Sequence, residues 1–202
     1  MSPPDALLEL PPCDTEPASG PDGLRLHIGC GTKVLAGWIN IDRVARAAGV
    51  RTDLDPTALP FADASVHAVL AEHVFEHFTF AEEACIWPEM ARVLAPGAML
   101  SIEVPDFEWV CATFLAARDR WRDFYRVGHP DHYAGCGRAL DQRWGILQTM
   151  FFGNQNGEGQ FHRSAYTEGK LRALAATLGF AAIRVSRCFN KGGQALRAEL
   201  IR

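Results

Sequence analysis

The chain has 202 residues, 48% of them hydrophobic and 22% charged, a globular composition that excludes wholesale disorder and is long enough to bury a core without staples. Twenty Lys and Arg against 24 Asp and Glu give a net charge of −4, which argues against a dedicated nucleic-acid binder. The six cysteines form no CxxC pair, the start carries no basic leader, and no apolar run approaches ~18 residues, so a soluble cytoplasmic protein with reduced thiols is expected.

Residues 1–23 hold six prolines and read as a flexible tail. The body, 24–202, opens on a strand, Leu24–Ile28, that runs into Gly29-Cys30-Gly31. Short strands follow at Trp38–Asp42 and Gly49–Asp53, and Val66–Ala71 reads as a strand buried on both faces. A helix is predicted from about Ala81 to Leu94, stopped by Pro96-Gly97, before a strand at Ala98–Val104. Residues 106–126 look helical, and 127–165 are irregular and rich in Gly, His and aromatics. Thr167 caps a helix to Leu178, and Phe180–Phe189 and Gln194–Ile201 form a hairpin. This order predicts an α/β fold: a Rossmann-like, doubly wound mixed sheet of about seven strands with an antiparallel C-terminal hairpin strand.

Three consecutive strand ends carry Gly29 and Gly31, then Asp42, then Asp53 followed by Leu54. Ligands of open α/β sheets bind at the carboxyl ends of strands, and an acid after the second strand accepts hydrogen bonds from ribose hydroxyls. The set reads as a nucleoside site. It departs from the dinucleotide fingerprint, because Asp42 follows Gly29 by only 13 positions and Val34 replaces the third glycine. The connection Thr32–Gly37 is too short for the helix that would hold a pyrophosphate. A nucleoside without phosphates fits better.

The segments Leu26–Gly31, Gly37-Trp38-Ile39-Asn40-Ile41-Asp42, Leu59–Ser65, Glu72–His77 and Glu89–Gly97 resemble class I S-adenosylmethionine-dependent methyltransferases. More narrowly, they resemble a compact branch with a GCGxxxxxGWxNxD start, and Phe161-His162-Arg163 with Leu171–Phe180 is similar to its carboxyl end. The resemblance implies S-adenosylmethionine as cofactor. Gly29, Cys30 and Gly31 would pass beside its methionine and ribose, Asp42 would hold the ribose hydroxyls, and Asp53 with Leu54 would meet the adenine edge. Glu72 and His73 would line the methionine side and the methyl-transfer opening. His27 stands where most relatives carry Asp, Glu or Asn against the cofactor's amino group.

The acceptor is expected to be a small molecule or saccharide, methylated on oxygen or nitrogen, with no nucleic-acid partner and no membrane insertion. Residues 107–166 are read as an inserted substrate cover. Trp109, His129 and His132 are its candidate substrate contacts, and Asp106 either lines the acceptor site or caps the following helix. His162 is the first candidate for a catalytic base, with His73 beside it at the transfer opening. Two other classes compete. His73-Val74-Phe75-Glu76-His77 matches the H-x-x-E-H pattern of a zinc metallopeptidase, although it begins at a strand end. The chain would otherwise be a non-catalytic nucleoside-binding protein. No residue is assigned to a metal.

Overall fold

The computed structural model describes residues 23–117, 145–155, 157, 159–190 and 193–202. In chain order it comprises β1 (Leu24–Ile28), β2 (Ile39–Ile41), β3 (Val50–Arg51), β4 (Val66–Glu72), α1 (Phe80–Val93), β5 (Leu94–Pro105), α2 (Phe107–Ala117), α3 (Gly145–Phe152), α4 (Glu168–Thr177), β6 (Ala182–Asn190) and β7 (Gly193–Ile201). A short 3₁₀ turn, Phe75–His77, separates β4 from α1. The seven strands form one sheet in the order β3-β2-β1-β4-β5-β7-β6. All neighbours are parallel except β7, which runs antiparallel to both β5 and β6. This is the expected doubly wound mixed sheet.

The apolar strand residues explain the layering. Leu26, Ile28, Val69, Leu100, Ile102 and Leu200 are all nearly fully buried, and α1 adds Ile86, Trp87, Met90 and Val93 to the same core. Helix α1 starts on a capping box: Thr79 accepts from the Glu82 N–H, and the Glu82 carboxylate accepts from the Thr79 N–H at 2.7 Å. Arg92 then ties this helix to the turn before β4 through Leu59 O, Phe61 O and Asp63.

Strand β5 begins earlier than the sequence suggested. Leu94 pairs with Val66 and is fully buried, so the sheet takes the residue expected to close the helix, and Pro96-Gly97 lie inside the strand. The connection from β1 to β2 holds no helix. Asn40 takes its place: its side chain accepts from Leu35 N–H at 2.9 Å and donates to Leu35 O and Trp38 O, both at 3.0 Å. One buried amide thereby satisfies backbone groups that a crossover helix would have paired internally.

The tail 1–22, the stretch 118–144 with His129 and His132, and the tip of the β6–β7 hairpin lie outside the described residues. Among the described thiols, Cys30, Cys85 and Cys111 are free, whereas Cys188 is disulfide-bonded, against the expectation of uniformly reduced cysteines. No helix among the described residues is long and apolar enough to cross a membrane.

Candidate active site

The chain turns in opposite directions from β1 and from β4, which leaves a crevice at their carboxyl ends, the switch point where open α/β sheets bind ligands. A cavity of about 660 Å³ occupies it, a size suited to a nucleoside-sized ligand. Gly29, Gly31, Asp42, Asp53, Leu54 and Glu72 all line it, as do His73 and His162. Eight of the residues named from the sequence therefore meet in one cavity.

Gly29 has φ +67°, and a Cβ there would lie 2.2 Å from Val74 Cγ2, so only glycine lets the end of β1 pack against the loop after β4. The Asp42 carboxylate is fixed from both sides. Its Oδ2 accepts from Gly31 N–H at 2.8 Å and its Oδ1 from Val44 N–H at 3.0 Å. Asp53 is exposed and paired with Arg51 at 2.6 Å, a hydrogen bond that holds its carboxyl below the usual range.

Cys30 and His27 belong instead to the layer beneath. Cys30 is buried in the core, and burial pushes its thiol up. His27 is 1% exposed, with Nδ1 3.3 Å from Asn40 Oδ1 and Nε2 3.8 Å from Glu72 Oε2. Lys33 donates to that same Glu72 oxygen at 2.8 Å. Burial outweighs the Asn40 and Glu72 contacts and lowers the His27 pKa. His27 thus supports Glu72, which faces the cavity.

The cavity is also lined by a cluster of histidines and carboxylates. His73 has φ +55°, and its ring sits between two buried acids, with Nδ1 3.2 Å from Glu76 Oε1 and Nε2 3.0 Å from Glu103 Oε1. Asn190 also donates to that Glu103 oxygen. Burial alone would raise the Glu76 pKa, but the hydrogen bond and charge of His73, with His77 and His162 nearby, hold it at about 2. The backbone N–H groups of Arg163 and Ser164 both donate to Glu76 O, which docks the segment carrying His162 onto the 3₁₀ turn. His77 and His162 consequently meet edge to face at 4.9 Å. Burial lowers the His162 pKa and outweighs the charge of Glu76.

A second cavity of about 440 Å³ shares Glu76, Pro105, Met150 and His162 with the first. Phe80, Phe107, Phe151 and Phe152 line it, the last two from the aromatic-rich stretch 127–165. Trp109 instead packs with Val110, Met150 and Phe151 in a small satellite core. Asp106 is 1% exposed; it caps α2 through Trp109 N–H and pairs with Arg187 and Gln194.

The H-x-x-E-H pattern does not form a zincin helix. Phe75–His77 is a 3₁₀ turn, and His73 is engaged with Glu76 and Glu103, so His73 and His77 are not an i,i+4 pair on one helix face. Sequence reasoning missed Thr149, Met150, Asn154 and Gln160, which also line the larger cavity. Their segment had read as irregular, and its apolar run, Gly145–Phe152, is α3.

Residues 26–102 match the family described as a methyltransferase domain. The match runs from β1 to the middle of β5 and stops before most of the residues that line the second cavity, Glu76 and Phe80 excepted. No curated protein sequence matches the chain. Among solved structures, a SAM-dependent methyltransferase from Methanosarcina mazei is similar, with a TM-score of 0.52 at 19% identity over 90% of this chain and 92% of the other. A possible histamine N-methyltransferase from Thermotoga maritima has a TM-score of 0.55 at 14% identity, over 91% and 83% of the two chains. The magnesium protoporphyrin IX methyltransferase of Synechocystis, solved with bound SAH (S-adenosylhomocysteine), has a TM-score of 0.51 at 13% identity, over 90% and 75%. At these identities the likeness is one of fold. Residues 26–102 thus resemble a methyltransferase domain, and the described sheet shares its fold with solved methyltransferases.

Proposed function

We propose that the chain transfers the methyl group of S-adenosylmethionine to an oxygen or nitrogen of a small-molecule or saccharide acceptor. One observation carries this reading: the residues expected to hold the nucleoside, Gly29, Gly31, Asp42, Asp53 and Leu54, line a single cavity that abuts a second, aromatic one at Glu76 and His162. The first cavity takes the cofactor, with Asp42 on the ribose hydroxyls, Asp53 and Leu54 at the adenine and Glu72 toward the methionine. The second takes the acceptor, and residues 107–166 form its cover.

The sulfonium is already activated, so the protein's work is to align the acceptor with the methyl carbon and to exclude water. A hydroxyl or ammonium acceptor must also lose a proton. His162 is placed for this. Its Nδ1 faces Met150 O at 2.9 Å, an acceptor, so Nδ1 carries the proton and Nε2 presents a lone pair. His73, with a carboxylate at each nitrogen, positions Glu76 and Glu103 instead. The net charge of −4 favours a small acceptor over nucleic acid in a cytoplasmic setting.

Isothermal titration with S-adenosylhomocysteine tests the cofactor assignment, with one equivalent bound in the micromolar range expected. Homocysteine release across a panel of hydroxyl and amine acceptors tests the activity. An absence of binding at high micromolar concentration overturns the reading.

A further inference from the structure

The cluster between the two cavities has more ligating capacity than a general base needs. Glu76, His77 and His162 each offer one ligand atom, and the three atoms lie within 4.8 Å of one another. Their other polar atoms are already engaged. His77 Nδ1 lies 2.9 Å from Phe161 O, and His162 Nδ1 lies 2.9 Å from Met150 O. Carbonyl oxygens only accept, so both imidazoles are protonated on Nδ1 and both direct an Nε2 lone pair elsewhere. Glu76 Oε1 is held by His73, while Glu76 Oε2, in a residue 1% exposed, has no hydrogen-bond partner among the described residues. A buried carboxylate oxygen left bare is costly and calls for a partner, and the other oxygen of the same group, Oε1, lies 4.0 Å from His162 Nε2.

We propose that Glu76, His77 and His162 bind a divalent first-row transition-metal cation at the junction of the two cavities. Two neutral imidazoles and one carboxylate suit zinc or iron(II) better than magnesium or calcium, which take all-oxygen shells. Metal-bound histidines characteristically donate their second N–H to a carbonyl or carboxylate, as both do here. Bonds of about 2.0–2.2 Å place ligand atoms roughly 3–4 Å apart, so small side-chain adjustments close the site. His73 is the outer residue that orients Glu76. The site differs from the H-x-x-E-H reading: His162, 85 residues beyond His77, replaces His73 as the second imidazole.

Three protein ligands leave coordination positions open toward the acceptor cavity. Resting on the methyltransferase reading, the acceptor is then a hydroxyl compound whose oxygen occupies an open position. Coordination acidifies that hydroxyl, and its proton leaves to water. The oxygen lone pair forms the new C–O bond as the C–S bond breaks, and the C–S electron pair returns to sulfur, converting the sulfonium to a neutral thioether. His162 acts there as a ligand, and the cation does the work of a base.

The test is a titration of cobalt(II) into the chelator-treated full chain, followed by visible absorption, with S-adenosylhomocysteine affinity measured in parallel. One equivalent of cobalt, displaced by zinc but not by magnesium, is expected. His77→Ala and His162→Ala should each weaken it at least about tenfold. His67→Gln, at the far end of β4, should leave cobalt binding unchanged. X-ray absorption of the zinc-loaded parent should show scattering from two imidazoles, a readout independent of any variant's folding. Absent cobalt binding, unchanged binding in both histidine variants, or a zinc spectrum without imidazole overturns the site. Loss of S-adenosylhomocysteine binding with cobalt binding intact overturns the methyltransferase reading and leaves the metal site standing.

Discussion

Asp42 is held by two backbone N–H groups before any ligand arrives, so its carboxylate is preorganised at the cavity wall. On the proposed reading, Asp42→Ala removes the acceptor for two ribose hydroxyls. S-adenosylhomocysteine should bind about 10–100-fold more weakly, from the loss of charge-assisted hydrogen bonds, with titration calorimetry as the check. Unchanged affinity would remove Asp42 from the ribose. This residue was legible because its signal is local: an acid directly after a short strand, next to a glycine turn. The pairing of His77 with His162 was not. It depends on Arg163 and Ser164 donating to Glu76 O, a backbone contact between segments far apart in sequence. No pattern of residue types announces such a contact.

At the scale of elements, the shortened β1–β2 connection depends on Asn40, which is 3% exposed. Asn40→Ala leaves Leu35 N–H, Leu35 O and Trp38 O without their side-chain partner and should cost about 2–4 kcal/mol of stability, read by urea unfolding. The short connection was visible in the sequence, but the residue that makes it viable was not, because its three bonds are to backbone. The loop after α3 is as demanding. Gly153 has φ +77°, and a Cβ would lie 2.0 Å from Gln160 O, so Gly153→Ala should cost about 1–3 kcal/mol. Faster amide exchange at His162, whose N–H donates to Phe152 O at 3.1 Å, should accompany it. Helix α1 shows a recoverable error: Thr79-x-x-Glu82 is a capping-box signature that sets its start at Phe80. Its end was not recoverable, because Leu94 is claimed by pairing with Val66 in the sheet.

For the molecule as a whole, the doubly wound sheet followed from alternating elements, and the cavity wall formed by Gly29, Gly31, Asp42, Asp53 and Leu54 followed from three strand ends. Most of the second cavity's lining comes from segments without periodicity, and the domain match also stops at Ile102. Global stability should carry the signature of the buried His27. Its folded pKa lies below the unfolded value of 6.5. Above pH 6.5 the ring is neutral in both states and stability is complete. As pH falls below 6.5 the unfolded chain takes up the proton first, and stability is lost until the folded pKa is passed. Asn40, Glu72 and Lys33 face this ring, and only the two charged neighbours can change its balance further. His27→Gln should flatten this acid limb of the thermal midpoint; an unchanged limb would assign it to another group.

Asp106 and Tyr166 form an isolated parallel bridge, and Phe107 N–H donates to Tyr166 O at 3.1 Å. The two ends of the 59 intervening residues are therefore fastened side by side at the rim of the sheet. That stretch therefore leaves and rejoins the sheet at neighbouring points, and it meets the fold again where Arg163 and Ser164 donate to Glu76 O. Its length and sequence can change with little added closure entropy, since doubling a loop costs only about 0.6 kcal/mol. Cassette exchange between Asp106 and Tyr166 should thus give folded chimeras with exchanged acceptor preference, whose S-adenosylhomocysteine affinity falls only where Thr149, Met150, Asn154 or Gln160 at the shared cavity wall is replaced. Diversification by replacement of a single exon-sized piece is built into how this chain closes on itself.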